Sequence, residues 1–305
     1  MRGLLSVVVL TGCAAGGDPG SGGEALPNPG YTPYAVHAEG DAGLTPVLPE
    51  GAGRDLMAYL RHDRVNLVYT RCPEDAVCAI AGATSDDGLV FSPETALLTD
   101  PRGLSAPYLE AGPAGDVLWV VVGDGAALGR APAEGDDFGA VEVALEGGPF
   151  SAPSVVNGPA GRRLFFVREG HLYMAAAVGT GWDTPTAVLG PCDETDCWPE
   201  EGVEHAEVRL GVSATGRRFY RAAFVNAGGG EKAVGFAASE DGATWSAVPF
   251  NPTLVLGRGT TMGLSNLRVG DRYFLYFSRS HFSRGRVAPI TGAAVNRAGA
   301  PSVVF

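Results

Sequence analysis

Short runs of apolar residues, separated by turns rich in glycine, proline and aspartate, recur along most of the chain. Clear examples are LWVVV from Leu118, RLFFV from Arg163 and YFLYFS from Tyr273. Apolar runs of this length, bounded by turn-forming residues, are typical of β-strands. The spacing of an amphipathic helix is almost absent. The pattern therefore predicts an all-β domain built from many short strands.

The strand pattern repeats at intervals of about 50 residues. In the first three copies, a marker residue in the first strand is followed 12 positions later by the second apolar run; the pairs are Asp55 and Leu67, Ala106 and Leu118, and Ala152 and Leu164. Two further copies begin near Ala206 and Gly263. Five such copies of four strands predict a five-bladed β-propeller over residues 31–305.

Two other architectures fit the same pattern less directly. One is a β-sandwich, and the other is a six-bladed, sialidase-like ring completed by Tyr31 to Leu48. A propeller must join the two ends of its chain. We therefore expect either Tyr31 to Val47 or Pro301 to Phe305 to supply the outer strand of a blade that the other terminus begins.

One turn of the repeat occurs in a well-defined form. SEDGATW at residues 239–245 resembles the Asp box of sialidases and other propellers, and SDDGLVF at residues 85–91 is a second copy. In this turn we expect Asp241 to accept backbone N–H bonds, Gly242 to adopt a positive φ and Trp245 to insert between blades. The resemblance implies a structural role.

The N-terminus resembles the signal of a bacterial lipoprotein. Arg2 and an apolar run precede Leu10-Thr11-Gly12-Cys13, which is similar to a lipobox. The resemblance implies a signal peptide over residues 1–12, lipidation of Cys13, export and a membrane anchor facing the periplasm or the cell surface. Residues 13–30 are rich in glycine and proline and predict a flexible tether. A chance LTGC in a buried strand is the alternative.

The net charge and the cysteine spacing indicate which partners, metals and disulfides to expect. The formal net charge of −12 is unfavourable for binding a phosphate backbone, so no nucleic-acid partner is expected. Two close pairs, Cys72 with Cys78 and Cys192 with Cys197, predict two local disulfides, as suits an exported protein. A four-thiolate zinc site or calcium bound by the acidic loops is the alternative, but neither spacing pattern matches. We predict no metal and no cofactor.

A resemblance to a glycosidase family suggests chemistry. GRDLMAY from Gly53, followed by VNLVYTR from Val65, resembles the opening of five-bladed family 43 arabinanases and xylosidases. The resemblance implies a general base at Asp55 and a general acid at Glu204. The family's second aspartate, which supports the acid, corresponds to Ala152. Without that carboxylate the acid lacks support, so we expect glycan or another extracellular ligand to bind in the central funnel.

Other functions remain as alternatives. Besides the two carboxylates, we predict ligand contacts from Arg54, His205, Glu207 and Trp198. An active inverting glycoside hydrolase is the first alternative. A sialidase, which needs three arginines around a sugar carboxylate, is another, with Arg54, Arg209 and Arg268 as candidates. The last is a non-catalytic propeller that docks an envelope protein.

Overall fold

All regular secondary structure in the described part of the chain is β-strand. The computed structural model describes residues 34–36, 47–48, 52–74, 76–113, 115–135, 137–191, 198–199, 201–213, 215–228, 231–247, 251–258, 260–270, 272–283 and 286–296. Within these ranges no helix has the length and apolar character that crossing a membrane requires.

The strands follow one another in short succession. In chain order they are β1 (Tyr34–Val36), β2 (Ala52–Arg61), β3 (Arg64–Arg71), β4 (Ala79–Ser85), β5 (Thr95–Leu98), β6 (Leu104–Glu110), β7 (Val117–Val122), β8 (Ala127–Glu134), β9 (Asp137–Phe138), β10 (Glu142–Glu146), β11 (Ser151–Gly158), β12 (Gly161–Arg168), β13 (His171–Val178), β14 (Gly181–Trp182), β15 (Thr186–Leu189), β16 (Val203–Val212), β17 (Arg218–Asn226), β18 (Glu231–Ser239), β19 (Ser246–Ala247), β20 (Leu254–Arg258), β21 (Thr261–Val269), β22 (Arg272–Ser283) and β23 (Arg286–Asn296).

Five antiparallel sheets are formed, one for each predicted copy of the repeat. Their strand orders are β2-β3-β4-β5, β6-β7-β8-β10, β11-β12-β13-β15, β16-β17-β18-β20 and β21-β22-β23-β1, with β9, β14 and β19 pairing with β8, β13 and β18. Several neighbouring strands are joined by two-residue hairpins, as between β2 and β3, β11 and β12, and β12 and β13.

The first strands of the sheets surround a common axis. β2 contacts β6, β6 contacts β11, β11 contacts β16, β16 contacts β21, and β21 contacts β2 again. This closed order is the arrangement of a β-propeller, and it corrects the β-sandwich alternative. Because β21 touches β2 directly, five sheets close the ring in the described residues, and no sixth sheet stands between them.

The N-terminal segment completes the last sheet. β1 pairs antiparallel with β23, with Tyr34 opposite Asn296 and Val36 opposite Ala294. The first of the two expected closures is therefore present. Residues 301–305, the other candidate, lie outside the described residues.

The core lies between neighbouring sheets. In β12, the four residues Leu164–Val167 are all buried, although adjacent residues of a strand point to opposite faces. Both faces are covered because each sheet packs against a neighbour on either side. Phe165, for example, makes edge contacts with Tyr220 and Trp245 of the next sheet. This explains why the apolar runs of the sequence are continuous and not alternating.

The SEDGATW and SDDGLVF turns share one hydrogen-bond pattern. Asp241 Oδ1 accepts from the backbone N–H of Ala243 and Thr244, each at 2.8 Å. Asp87 Oδ1 accepts in the same way from Leu89 and Val90 at 2.8 and 2.9 Å. Both turns pack against the preceding sheet of the ring: Trp245 contacts Phe165, and Gly88 lies under the Phe274 ring. They are structural turns.

One of the two predicted disulfides is present in the described residues. Cys72 and Cys78 are bonded, and they clamp the turn between β3 and β4. The bond removes two of the thiolates that a four-cysteine zinc site would need. The predicted signal peptide over 1–12, the predicted tether over 13–30 with Cys13, and the second predicted disulfide between Cys192 and Cys197 lie outside the described residues.

Candidate functional site

Every inner strand has a bulge near its start. The register shifts fall between Arg54 and Met57 in β2, Ser105 and Tyr108 in β6, Ser151 and Ser154 in β11, Val203 and His205 in β16, and Thr261 and Gly263 in β21. A bulge re-aims the side chains on either side of it. The five starts lie at one end of the ring, which we call the site face.

The three marker residues of the repeat are the bulge residues. Asp55, Ala106 and Ala152 have φ values of 44°, 48° and 46°. L-residues rarely adopt this left-handed conformation. The markers are therefore structurally equivalent, and Asp55 is the one of the three with a carboxyl group.

Asp55 has an environment that suits proton exchange near neutral pH. Burial raises its pKa to about 6, against the opposing effects of the Arg54 charge, a hydrogen bond from the Thr70 side chain and another from the Ala106 backbone. A carboxyl that titrates there can accept or release a proton under ordinary conditions.

Asp55 lies in a cavity of about 520 Å³ on the site face, which we call the Asp55 cavity. Its walls come from the starts of β2, β6 and β11 and from the β3–β4 and β7–β8 turns. The polar side chains among its lining are Arg54, Asp55, Thr70, Arg102, Ser105, Asp124 and Ser151. The Cys72–Cys78 disulfide stands at its edge, so the disulfide shapes this wall.

A second cavity adjoins the first and contains Glu204. It measures about 630 Å³ and is lined by Ser151, Val167, Glu169, Gly170, Val203, Glu204, Ala227, Gly228, Lys232 and Thr260. We call it the Glu204 cavity. Ser151 lines both cavities, so they are neighbours on the site face, but the two predicted catalytic carboxyls stand in different ones.

Glu204 is engaged in an ion pair. Its Oε2 lies 2.6 Å from Nζ of Lys232, whose side chain is 7% exposed. Lys232 also donates to the carbonyl oxygens of Asn226 and Gly228. Lys232 is not among the predicted site residues, although it stands out in the sequence as the single lysine among 305 residues.

The axis of the ring is almost filled. A gap of about 10 Å³ remains between the inner strands, lined among others by Asp55, Ala106, Ala152, His205 and Glu207. That volume holds about one water molecule. The predicted ligand contacts of His205 and Glu207 therefore face a packed axis and not an open funnel.

Glu207 holds two sheets together. Its Oε1 accepts from Arg209 Nη2 and Ser265 Oγ, each at 2.6 Å, and its Oε2 accepts from the Asn266 backbone at 2.8 Å. His205 is buried beside it, and burial lowers the pKa of His205 to about 4. Both residues therefore connect β16 to β21, and their assignment to ligand binding stays a prediction.

Neither cavity is lined by Trp198, Arg209 or Arg268. The Trp198 ring packs on Phe224, with centroids 5.1 Å apart, and lines neither cavity. Arg209 is held by Glu207 and also bonds to the Ala58 carbonyl. Arg268 donates to the Gly270 carbonyl and lies over Tyr273. Of the three arginines proposed for a sialidase, Arg54 lines the Asp55 cavity, whereas Arg209 and Arg268 line neither cavity. The structure therefore does not bring the three together.

The fold is shared with solved glycoside hydrolases. The native arabinanase of Bacillus subtilis has 12% identity and a TM-score of 0.56, covering 81% of this chain and 95% of its own. The catalytic domain of the family 62 α-L-arabinofuranosidase of Coprinopsis cinerea has 13% identity and a TM-score of 0.61, covering 87% and 97%. An α-L-arabinofuranosidase of Podospora anserina, solved with cellotriose, has 11% identity and a TM-score of 0.60, covering 88% and 98%.

These likenesses show that the chain has the β-propeller fold of glycoside hydrolases. At such low identity they show the fold alone. No protein-family model matches the sequence, and no curated protein is significantly similar to it.

Proposed function

We propose that this propeller binds glycans on its site face and does not hydrolyse them. The observation that carries the proposal is the Glu204–Lys232 ion pair, together with an alanine at position 152. Two adjoining cavities with polar walls suit a ligand rich in hydroxyl groups. The fold supports the same ligand class by analogy.

Hydrolysis with inversion needs two carboxyls with separate roles. One must carry a proton to the leaving oxygen while the other activates a water molecule. In this chain the Glu204 carboxylate lies 2.6 Å from the buried Lys232 ammonium group, so the ion pair holds it away from a leaving oxygen. Ala152 supplies no second carboxyl group that could orient Glu204. Asp55 is therefore left without a suitable partner.

The test combines binding and hydrolysis with the same protein. Binding of arabinan, xylan and sialoside oligosaccharides is measured by calorimetry, and reducing-sugar release is followed in parallel. We expect binding without release. Asp124→Asn, inside the Asp55 cavity, should weaken binding, because a carboxylate accepts hydrogen bonds from sugar hydroxyls. The control is Asp116→Asn, whose carboxylate faces Arg61 away from both cavities.

An inverting hydrolase is the second candidate, and the raised pKa of Asp55 favours it. On this hypothesis Asp55 activates the water and Glu204 supplies the proton. Release of sugar by the wild type that disappears in both Asp55→Asn and Glu204→Gln would establish it in place of the binding protein. Release that persists unchanged in Glu204→Gln would remove Glu204 from any catalytic role.

We also propose that the chain is exported and anchored to a membrane through Cys13. The lipobox resemblance supports this, and the Cys72–Cys78 disulfide suits an oxidising compartment. Expression in a bacterium fed a labelled fatty acid tests the proposal. Label in the wild-type chain and none in Cys13→Ser is expected; equal labelling of the two would contradict it.

A further inference from the structure

Arg54 and Asp55 reach the same cavity because of the bulge in β2. Successive residues of a regular strand point to opposite faces. The register shift between Arg54 and Met57, with the positive φ of Asp55, breaks this alternation. Both side chains consequently line the Asp55 cavity.

The Arg54 guanidinium has hydrogen-bond donors that are not satisfied by strong acceptors. Its Nη1 donates to Cys72 Sγ at 3.6 Å, which is a weak acceptor, and its Nε is buried without a hydrogen-bond partner. Across the ranges given above, no carboxylate forms an ion pair with it. The Asp55 carboxyl accepts instead from Thr70 and the Ala106 backbone.

Arg102 lines the same cavity but is paired with a carboxylate. Its Nε and Nη2 bind the two oxygens of Asp100 at 2.8 and 2.7 Å. Arg54 differs from Arg102 because no described carboxylate forms an ion pair with it. A planar guanidinium is best satisfied by a planar anion that accepts two parallel hydrogen bonds.

We propose that the Asp55 cavity recognises the carboxylate of an acidic sugar through Arg54; this inference rests on the proposed glycan-binding function. A neutral sugar offers hydroxyls but no charge to match the guanidinium, whereas a sugar carboxylate offers both oxygens at once. The volume of about 520 Å³ accommodates a sugar of one or two rings. Ser105 and Asp124 in the same wall can bind its hydroxyls.

The experiment compares each acid with its own methyl ester. Calorimetry with the full chain measures binding of oligosaccharides of galacturonate, glucuronate and mannuronate, and of sialyllactose, each as the free acid and as the ester. A charge-assisted bidentate contact predicts at least tenfold tighter binding of the acid in one pair. The pair that shows it identifies whether the sugar is a hexuronic acid or a sialic acid.

Two substitutions locate the contact. Arg54→Gln should abolish the preference for the acid, and Arg54→Lys, which keeps the charge but loses the fork of donors, should reduce it. The control Arg64→Gln changes an exposed arginine that pairs with Asp86 at the other end of the strands, and it should leave the preference intact. Circular dichroism verifies that each variant is folded.

Failure of this inference differs from failure of the proposed function. Equal binding of acids, esters and neutral arabinan or xylan fragments would overturn the acidic-sugar inference and leave glycan binding in place. Absence of binding to every probe would overturn both. A preference for the acid that survives in Arg54→Gln would overturn the role of Arg54. Should that variant be unfolded, an undiminished preference in Arg54→Lys would lead to the same conclusion.

Discussion

Glu204 Oε2 and Lys232 Nζ lie 2.6 Å apart, in a cavity next to the one that contains Asp55. Glu204 is the second residue of β16, and Lys232 lies in β18, two strands further out in the same sheet. The pair therefore closes the start of one sheet across its middle strand. The ion pair therefore gives a structural role to Glu204, for which the family resemblance implies proton donation.

The ion pair predicts a loss of stability when either partner is removed. Glu204→Gln should lower the free energy of unfolding by about 2 kcal/mol, because it leaves a buried ammonium group without its counterion. The measurement is urea denaturation of the wild type, Glu204→Gln, Lys232→Met and the double variant. We expect the double variant to lose less than the sum of the two single changes. Additive losses would contradict the pairing.

The raised pKa of Asp55 predicts a stability cost at neutral pH. Its pKa is about 6 in the folded chain against 3.8 as the ordinary value, so the folded state holds the proton more tightly. Stability from this group is present at low pH and is lost as pH rises through 6. Relative to Asp55→Asn, the wild type should lose about 2 kcal/mol between pH 4.5 and 7.5. Urea denaturation at both values measures this, and a constant difference would contradict it.

His205 predicts the opposite dependence over the same range. Its pKa is about 4 in the fold against 6.5, so protonation is easier in the unfolded chain, and stability is lost as pH falls from 6.5 towards 4. Relative to His205→Gln, the wild type should gain about 2 kcal/mol between pH 4.5 and 7.5. The two effects nearly cancel in the wild type, so the paired variants should diverge in opposite directions. Parallel profiles would show that one assignment is wrong.

The left-handed conformation of Ala152 predicts an unusual tolerance for glycine. Glycine adopts a positive φ without the steric cost that alanine bears. Ala152→Gly should therefore stay within about 1 kcal/mol of the wild type or exceed its stability. Ala175→Gly, at a buried position in the middle of β13, is the control and should lose about 1 kcal/mol or more. Equal losses at both sites, measured in urea, would argue against strain at Ala152.

The SDDGLVF turn provides two neighbouring aspartates with different roles. Asp87 accepts from two backbone N–H groups and from Ser85 Oγ, whereas Asp86 pairs with Arg64 at the surface. Asp87→Ala should lower the free energy of unfolding by about 1–2 kcal/mol. Asp86→Ala should change it by less than about 1 kcal/mol. Thermal unfolding followed by circular dichroism gives the comparison, and the reverse order of the two would contradict the assignment.

The repeat could be predicted from the sequence because its signals are local. Apolar runs, turn residues and the 12-residue spacing all act over a few positions. The markers of the repeat are also the bulge residues of the structure, with nearly equal φ values at Asp55, Ala106 and Ala152. Five such units, each with two faces to bury, lead to a ring.

The roles of individual polar side chains were decided by the tertiary structure. Glu207 becomes a link because β21, more than 50 residues later in the chain, places Ser265 and Asn266 against it. Trp198 turns inward because Phe224 offers it an apolar surface.

The chain by itself therefore determined the strands, their repeat and the residues that begin each inner strand. Which of those residues remain available to a ligand depends on the partners that other sheets bring close. Lys232 forms an ion pair with Glu204, whereas no described carboxylate forms one with Arg54, and neither fact follows from spacing along the sequence. Short-range conformational preferences determine the strands and their repeat. Packing between strands that are distant in the sequence determines which polar residues remain available to a ligand.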